Sequence, residues 1–297
     1  MASNTQKTAL NIVMGAMTFG AAGTHGARVH DIKDVQAILE AFRAHGHSEI
    51  DTARVYGNGT SEEYLGKLDL ESKGFKIQTK LYPFKGFANH DEEDLRKFLA
   101  QSLKALNVKT LDIWYLHGPD RSVPYEKTLK VVNELYKDGY FKKFGISNYT
   151  AWEVAEIVGI CKANGYVQPT VYQGLYNAIH RAAEPELFPC LRKFGIAFYE
   201  FNPCRYWKDP YFKGLASVKA VADKHGLTLT EIALRWVSHH SALKSEYGDS
   251  VLIGASSVKH IEQNLIDLEK GPLPDDVVKA LDDVWLEVKA ISSPYYH

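Results

Sequence analysis

In this 297-residue chain an aspartate, a tyrosine, a lysine and a histidine stand at the ends of successive apolar runs. Glu49-Ile50-Asp51-Thr52-Ala53-Arg54-Val55-Tyr56-Gly57 delivers an acid and, five residues on, a phenol ahead of Gly57 and Gly59. Phe75-Lys76-Ile77-Gln78-Thr79-Lys80 ends in an amine, and Leu111-Asp112-Ile113-Trp114-Tyr115-Leu116-His117 ends in an imidazole. A phenol with a reference pKa of about 10 donates a proton poorly at neutral pH. A lysine ammonium beside it favours the phenolate and lowers that pKa. A carboxylate beside the lysine keeps it charged, and a neutral histidine can orient a substrate oxygen. Asp51, Tyr56, Lys80 and His117 together suit protonation of a carbonyl oxygen while a nucleophile such as hydride reaches the carbon.

Singly, each residue has a plain structural reading. A strand-end aspartate caps a helix, a lysine sits on the surface, and Tyr56 and His117 are one of 17 tyrosines and one of 12 histidines. The set on consecutive strands outweighs these. A metal site is the other functional reading, but no His-Glu-x-x-His spacing occurs.

Strand ends can converge only if the elements alternate, and they do. Leu10 to Met14 reads as a strand, and Asp31 to His45 as a helix with Asp31 as N-cap. A short helix, Glu62 to Leu68 behind Ser61, follows the Asp51 strand. A longer one, Asp91 to Leu106, follows the Lys80 strand. After His117 come a helix from Tyr125 to Lys137, a strand from Phe141 to Ile146 closed by Ser147-Asn148, and a helix from Thr150 to Ala163. A strand from Thr170 to Gln173, a helix from Glu186 to Lys193 and a strand from Gly195 to Phe201 continue the pattern. Helices from Leu215 to His225 and Thr230 to Ser238, a strand from Ser250 to Ile253 and a helix from Val258 to Leu268 complete it. A last helix near Asp275 to Ala290 leads to a loose tail, Tyr295-Tyr296-His297. Eight strand–helix units imply parallel pairing, and eight closes a barrel with its active site at the strand C-termini. The expectation is an α/β fold, a single (β/α)8 TIM barrel spanning 1–297 with an additional C-terminal helix. An open doubly wound sheet is the alternative, but the first loop lacks Gly-x-Gly-x-x-Gly.

Composition narrows the function. With 45% hydrophobic residues and a formal charge of −1, the chain has no electrostatic grip on nucleic acid or an anionic membrane. Cys161, Cys190 and Cys204 share no metal-ligand spacing and fit a reducing compartment. No run reaches the roughly 18 apolar residues of a membrane span. A cytoplasmic protein, monomer or homodimer, acting on a small-molecule carbonyl is expected.

The chain resembles the aldo-keto reductases. The matching pieces are Met17-Thr18-Phe19-Gly20, Asp51 to Gly57, Thr79-Lys80, Leu116-His117, Gly145-Ile146-Ser147-Asn148, Tyr172-Gln173, Ile253-Gly254-Ala255-Ser256-Ser257 and Gln263-Asn264. Tyr115 to Asp120 and Val171 to Asn177 most resemble the aflatoxin-aldehyde reductase branch. The resemblance implies a (β/α)8 barrel that reduces aldehydes and ketones with NADPH. Tyr56 would donate the proton, Lys80 would lower its pKa, Asp51 would pair with Lys80, and His117 would orient the carbonyl. Ser147, Asn148 and Gln173 would hold the nicotinamide carboxamide, with Phe201 against its ring. Ser256, Ser257, Lys259, Gln263 and Asn264 match the adenine and 2′-phosphate end, although Ser256 and Ser257 also read as a helix N-cap. Arg205 and His297 match substrate contacts, Arg205 for acidic substrates.

One stretch departs from the family. There an Asn-Pro like Asn202-Pro203 opens a long Gly- and Leu-rich loop over the cofactor pyrophosphate. Here Pro203 runs directly into Cys204-Arg205-Tyr206-Trp207-Lys208. The covering segment is missing, and a weaker grip on cofactor is expected. Two alternatives to a working reductase therefore stand: a non-catalytic nicotinamide-binding barrel (a sensor or accessory subunit) and an inactive variant.

Overall fold

A computed structural model describes residues 7–201 and 206–297. Eight parallel strands close in sequence order: β1 (Asn11–Gly15), β2 (Glu49–Asp51), β3 (Lys76–Leu81), β4 (Leu111–Leu116), β5 (Phe141–Ser147), β6 (Pro169–Leu175), β7 (Ala197–Phe201) and β8 (Ser250–Gly254), with β8 pairing back onto β1. Between them run α1 (Ile32–Ala44), α2 (Thr60–Gly66), α3 (Glu92–Leu106), α4 (Tyr125–Lys137), α5 (Ala151–Asn164) and α6 (Leu187–Phe194). Two helices, α7 (Asp209–Lys224) and α8 (Leu229–His239), join β7 to β8. They are followed by α9 (Val258–Leu268) and α10 (Asp275–Val288), the latter packed on α7. The closed sheet excludes the doubly wound alternative.

Strands buried on both faces need apolar residues throughout, and β4 is buried along its whole length. Val13, Ile113, Tyr115, Val171, Ala197 and Tyr199 fill the barrel interior, apart from the larger core between sheet and helices. A polar chain crosses that interior. Tyr115 donates to Gln78 Oε1 (2.9 Å), and Gln78 Nε2 and Tyr199 donate to Glu49 (2.8 and 3.2 Å).

Caps set the helix starts: Asp31 for α1, Asp91 for α3, and for α5 a reciprocal box between Thr150 and Glu153. Three departures from the sequence reading have local causes. Gly57, Asn58 and Gly59 all take positive φ, so the chain turns tightly and α2 begins at Thr60. Ser61 does not cap it; its hydroxyl faces Thr52 and donates to the Ala16 carbonyl. Helix α7 begins at Asp209, six residues before the apolar periodicity, because Pro210 in its first turn leaves no hydrogen bond unmade. The tail is not loose. Tyr295 is buried, and its hydroxyl accepts from Ala151 N–H (3.0 Å) and donates to Glu186 (3.1 Å). No described helix is long and apolar enough to cross a membrane.

Candidate active site

Four side chains meet at the C-terminal end of the barrel. Asp51 closes β2, Lys80 lies one residue from the end of β3, and His117 directly follows β4. The turn Tyr56–Gly59 after β2 carries the phenol. Lys80 Nζ is fully buried and lies 2.6 Å from Asp51 Oδ2, 2.7 Å from the Thr52 carbonyl and 3.4 Å from the Tyr56 hydroxyl. An ammonium has three N–H groups, and these are its three acceptors. Asp51 Oδ1 accepts from Gln173 Nε2 on β6 (2.9 Å), so both carboxylate oxygens are held.

The electrostatics follow from burial and this pairing. Burial works against the Lys80 ammonium, yet Asp51 and Tyr56 hold its pKa above the usual lysine value. Burial pushes the Tyr56 phenol up; Lys80 pulls against it and Asp51 adds to it. The lysine thus acts in the expected direction but does not outweigh burial. Burial and the Lys80 ammonium hold His117 well below the ordinary imidazole value, so its ring is neutral. That ring stands edge-on to Tyr56, with centroids 5.9 Å apart, and to Tyr82 at 5.3 Å. Its Nδ1 is buried without a hydrogen-bond partner among the described residues.

Beside this quartet, Ser147 at the end of β5 pairs in register with Gln173. Asn148, in the left-handed region at φ 66°, donates through Nδ2 to the His117 carbonyl (2.9 Å) and to Ser147 Oγ (3.0 Å). Phe201 closes β7 on the same rim. At the start of α9, Ser257 is the N-cap and accepts from His260 N–H (3.2 Å), while Ser256 Oγ lies 3.0 Å from His260 Nδ1. Gln263 donates to Asp267, Asn264 donates to the Gly254 carbonyl, and Lys259 is exposed. His297 reaches the site: its N–H donates to the Asn148 carbonyl (3.4 Å) and its ring lies 5.8 Å from Tyr82. Asn202, Pro203 and Arg205 lie outside the described residues, as does Cys204; Cys161 and Cys190 are free thiols.

Sequence reasoning missed Tyr82 and Tyr115. Tyr82 lies two residues beyond Lys80, the strand period that keeps a side chain on the same face. The Tyr115 ring lies 6.0 Å from Lys80 Nζ, and a β-carbon on Gly145 of the neighbouring strand would overlap it. Strand alternation from His117 back to Tyr115 was the signal for that one.

A model described as the aldo/keto reductase family matches residues 11–205 and 208–286. The chain belongs to the aldo/keto reductase family. An aldo-keto reductase of Pseudocercospora fijiensis is 45% identical over 87% of this chain and 100% of its own length. The human aflatoxin B1 aldehyde reductase member 4 is 40% identical over 92% of this chain and 93% of its own. The latter alignment spans 315 positions, more than the 297 residues here, so the pair is related across gaps. Among solved structures, a thermostable aldo-keto reductase in complex with the inhibitor epalrestat shares the fold. Its TM-score is 0.73 at 24% identity, with 92% of this chain and 94% of that chain covered. Membership makes this protein an oxidoreductase of the aldo/keto class and supports carbonyl reduction.

Proposed function

We propose that this aldo/keto reductase uses NADPH to reduce aldehydes, and some ketones, to alcohols, with Tyr56 as proton donor. The observation that carries the reading is Lys80 Nζ, fully buried and shared among Asp51, the Thr52 carbonyl and Tyr56. Loss of its proton leaves Tyr56 as a phenolate, and the ammonium beside it stabilises that charge. Asp51 keeps the ammonium charged, and neutral His117 directs the carbonyl oxygen toward the phenol.

The rim chemistry fits a nicotinamide cofactor, which supplies hydride when bound. Amide and hydroxyl groups of Ser147, Asn148 and Gln173 suit a carboxamide, and Phe201 offers a ring face. Ser256, Ser257, Lys259, Gln263 and Asn264 would take the adenosine end. Of these, Lys259 supplies the exposed positive charge suited to a 2′-phosphate. Asn202 and Pro203 would complete the cofactor contacts, and Arg205 and His297 the substrate contacts.

A second reading, a barrel that binds the cofactor without turnover, draws on the β7–α7 connection. Only residues 202–208 join Phe201 to Asp209, and the family match breaks between Arg205 and Lys208. The test is NADPH titration by fluorescence quenching, followed by an aldehyde in the same cuvette. Binding with loss of NADPH absorbance supports the reductase; binding without turnover of any of a panel of aldehydes supports the second reading. Tyr56→Phe should lower kcat by roughly 10²- to 10⁴-fold with NADPH affinity nearly unchanged, because only the transferable proton is lost. A Tyr56→Phe enzyme with the wild-type rate would overturn the assignment.

A further inference from the structure

Lys80 grips its three acceptors unequally. The distances to Asp51 and Thr52 are 2.6 and 2.7 Å, against 3.4 Å to the phenol. The longest of the three is the weakest, so it holds Tyr56 least firmly. The loop that carries the phenol is also pinned from behind. Arg54, two residues before Tyr56, sends its side chain away from the site toward α2. There Nη1 lies 2.5 Å from Glu62 Oε2. The Glu62 side chain is fully buried, and its Oε1 accepts from Thr79 Oγ1 (2.6 Å), the residue next to Lys80. Ser102 on α3 also bonds to Glu62. The Arg54 backbone N–H donates to the Lys80 carbonyl (3.0 Å). The guanidinium lies across Gly59, where a β-carbon would overlap it.

We propose that Arg54 and Glu62 are positioning residues that hold the Tyr56 phenol at its distance from Lys80. The pair ties the loop bearing the phenol to the strand bearing the ammonium, on the side facing away from substrate. Glu62 is a buried carboxylate whose principal counter-charge is Arg54, so the pair acts as a unit: removing the guanidinium strands the carboxylate. Gly59 belongs to the same device on two counts: its left-handed φ of 93° makes the turn, and the guanidinium takes the space that any side chain would fill.

The kinetic part rests on the reductase reading, so the test has a second readout that needs no turnover. Arg54→Leu, Arg54→Lys and Gly59→Ala, each in the full-length chain, are compared with wild type by steady-state kinetics and by amide hydrogen exchange over residues 53–58. Arg54→Leu and Gly59→Ala should lower kcat by roughly 10- to 100-fold, as displacement of a reacting group by about 1 Å does. The KM for NADPH should stay within about threefold, a smaller effect because the pair touches no proposed cofactor residue. The alkaline limb of kcat should move to higher pH, since a phenol further from the ammonium titrates higher. Arg54→Lys, which keeps the charge, should recover part of the rate, and it serves as the readout if Arg54→Leu does not fold. Exchange over 53–58 should quicken in Arg54→Leu and Gly59→Ala. A lowered Tm with unchanged kcat and pH limb would make the pair merely structural and overturn the proposal, as would unchanged exchange. Quickened exchange in a chain whose wild type turns over no carbonyl would uphold the positioning and sink the reductase reading.

Discussion

The Tyr56 phenol is pulled both ways, and the balance gives a pH dependence. Burial raises its pKa above the ordinary value and Lys80 opposes that rise. The donor is therefore protonated throughout the neutral range, and reduction should slow only as pH climbs through the raised phenol pKa. His117 titrates well below its usual value, so it adds no acidic limb near pH 6.5. Lys80→Met should lower kcat by roughly 10²-fold and move the alkaline limb upward, because the charge that favours the phenolate is gone. A pH–kcat profile for each enzyme checks both statements. An unmoved limb would mean that Lys80 does not act on the phenol.

At the scale of elements, the junction of α1 with α9 carries two histidines of opposite sign. His45, just after α1, has Nδ1 2.7 Å from Glu269 and Nε2 3.0 Å from Glu262 on α9. Two carboxylates facing both ring nitrogens require an imidazolium, and they hold its pKa above 6.5 against burial. Its contribution is complete below pH 6.5 and fades as pH rises through the folded-state value. His47, stacked on Phe42, is buried with neither ring nitrogen bonded among the described residues, and burial pushes its pKa down to about 4. Its contribution is present above 6.5 and is lost as pH falls toward about 4. His90, fully buried at about 4, slopes the same way. His47→Leu should therefore flatten the fall in Tm below pH 6.5 and leave the neutral-to-alkaline side governed by His45. Thermal melts across pH test this, and parallel curves for mutant and wild type would refute it.

Across the whole molecule, the C-terminal segment closes one side of the site. His180 Nε2 donates to the Ser293 carbonyl (2.7 Å), Tyr295 bridges Ala151 and Glu186, and His297 reaches Asn148 and Tyr82. Deleting residues 292–297 should remove roughly 3 kcal/mol, the scale of losing one buried aromatic side chain. It should also raise the KM for the carbonyl substrate more than the Kd for NADPH, since the tail lies beside Tyr82 and His117. Chemical denaturation and paired kinetics measure both, and a truncated enzyme with unchanged KM would show that the tail only stabilises.

Much of this was legible without coordinates because it is local. Apolar runs, Asp31 and Thr150 at helix starts and eight alternations specify strands and helices over short windows, and a barrel is how eight parallel strands bury their edges. The same alternation carried Asp51, Lys80 and His117 to one rim. Ser61 was misplaced because three consecutive left-handed residues, Gly57, Asn58 and Gly59, can reverse a chain in a way that apolar periodicity does not register. The tail was misread because Tyr295 owes its place to Ala151 and Glu186, 144 and 109 residues away in sequence. Gln173 on Asp51 spans 122 residues, and Tyr115 fills the space opened by Gly145 on the next strand. The sequence by itself determined which groups stand at the strand ends, because strand period and capping are short-range. Only the tertiary structure decided how strongly burial opposes Lys80 at the phenol and what holds that phenol in place, because desolvation and cross-strand contacts exist only once the barrel has closed.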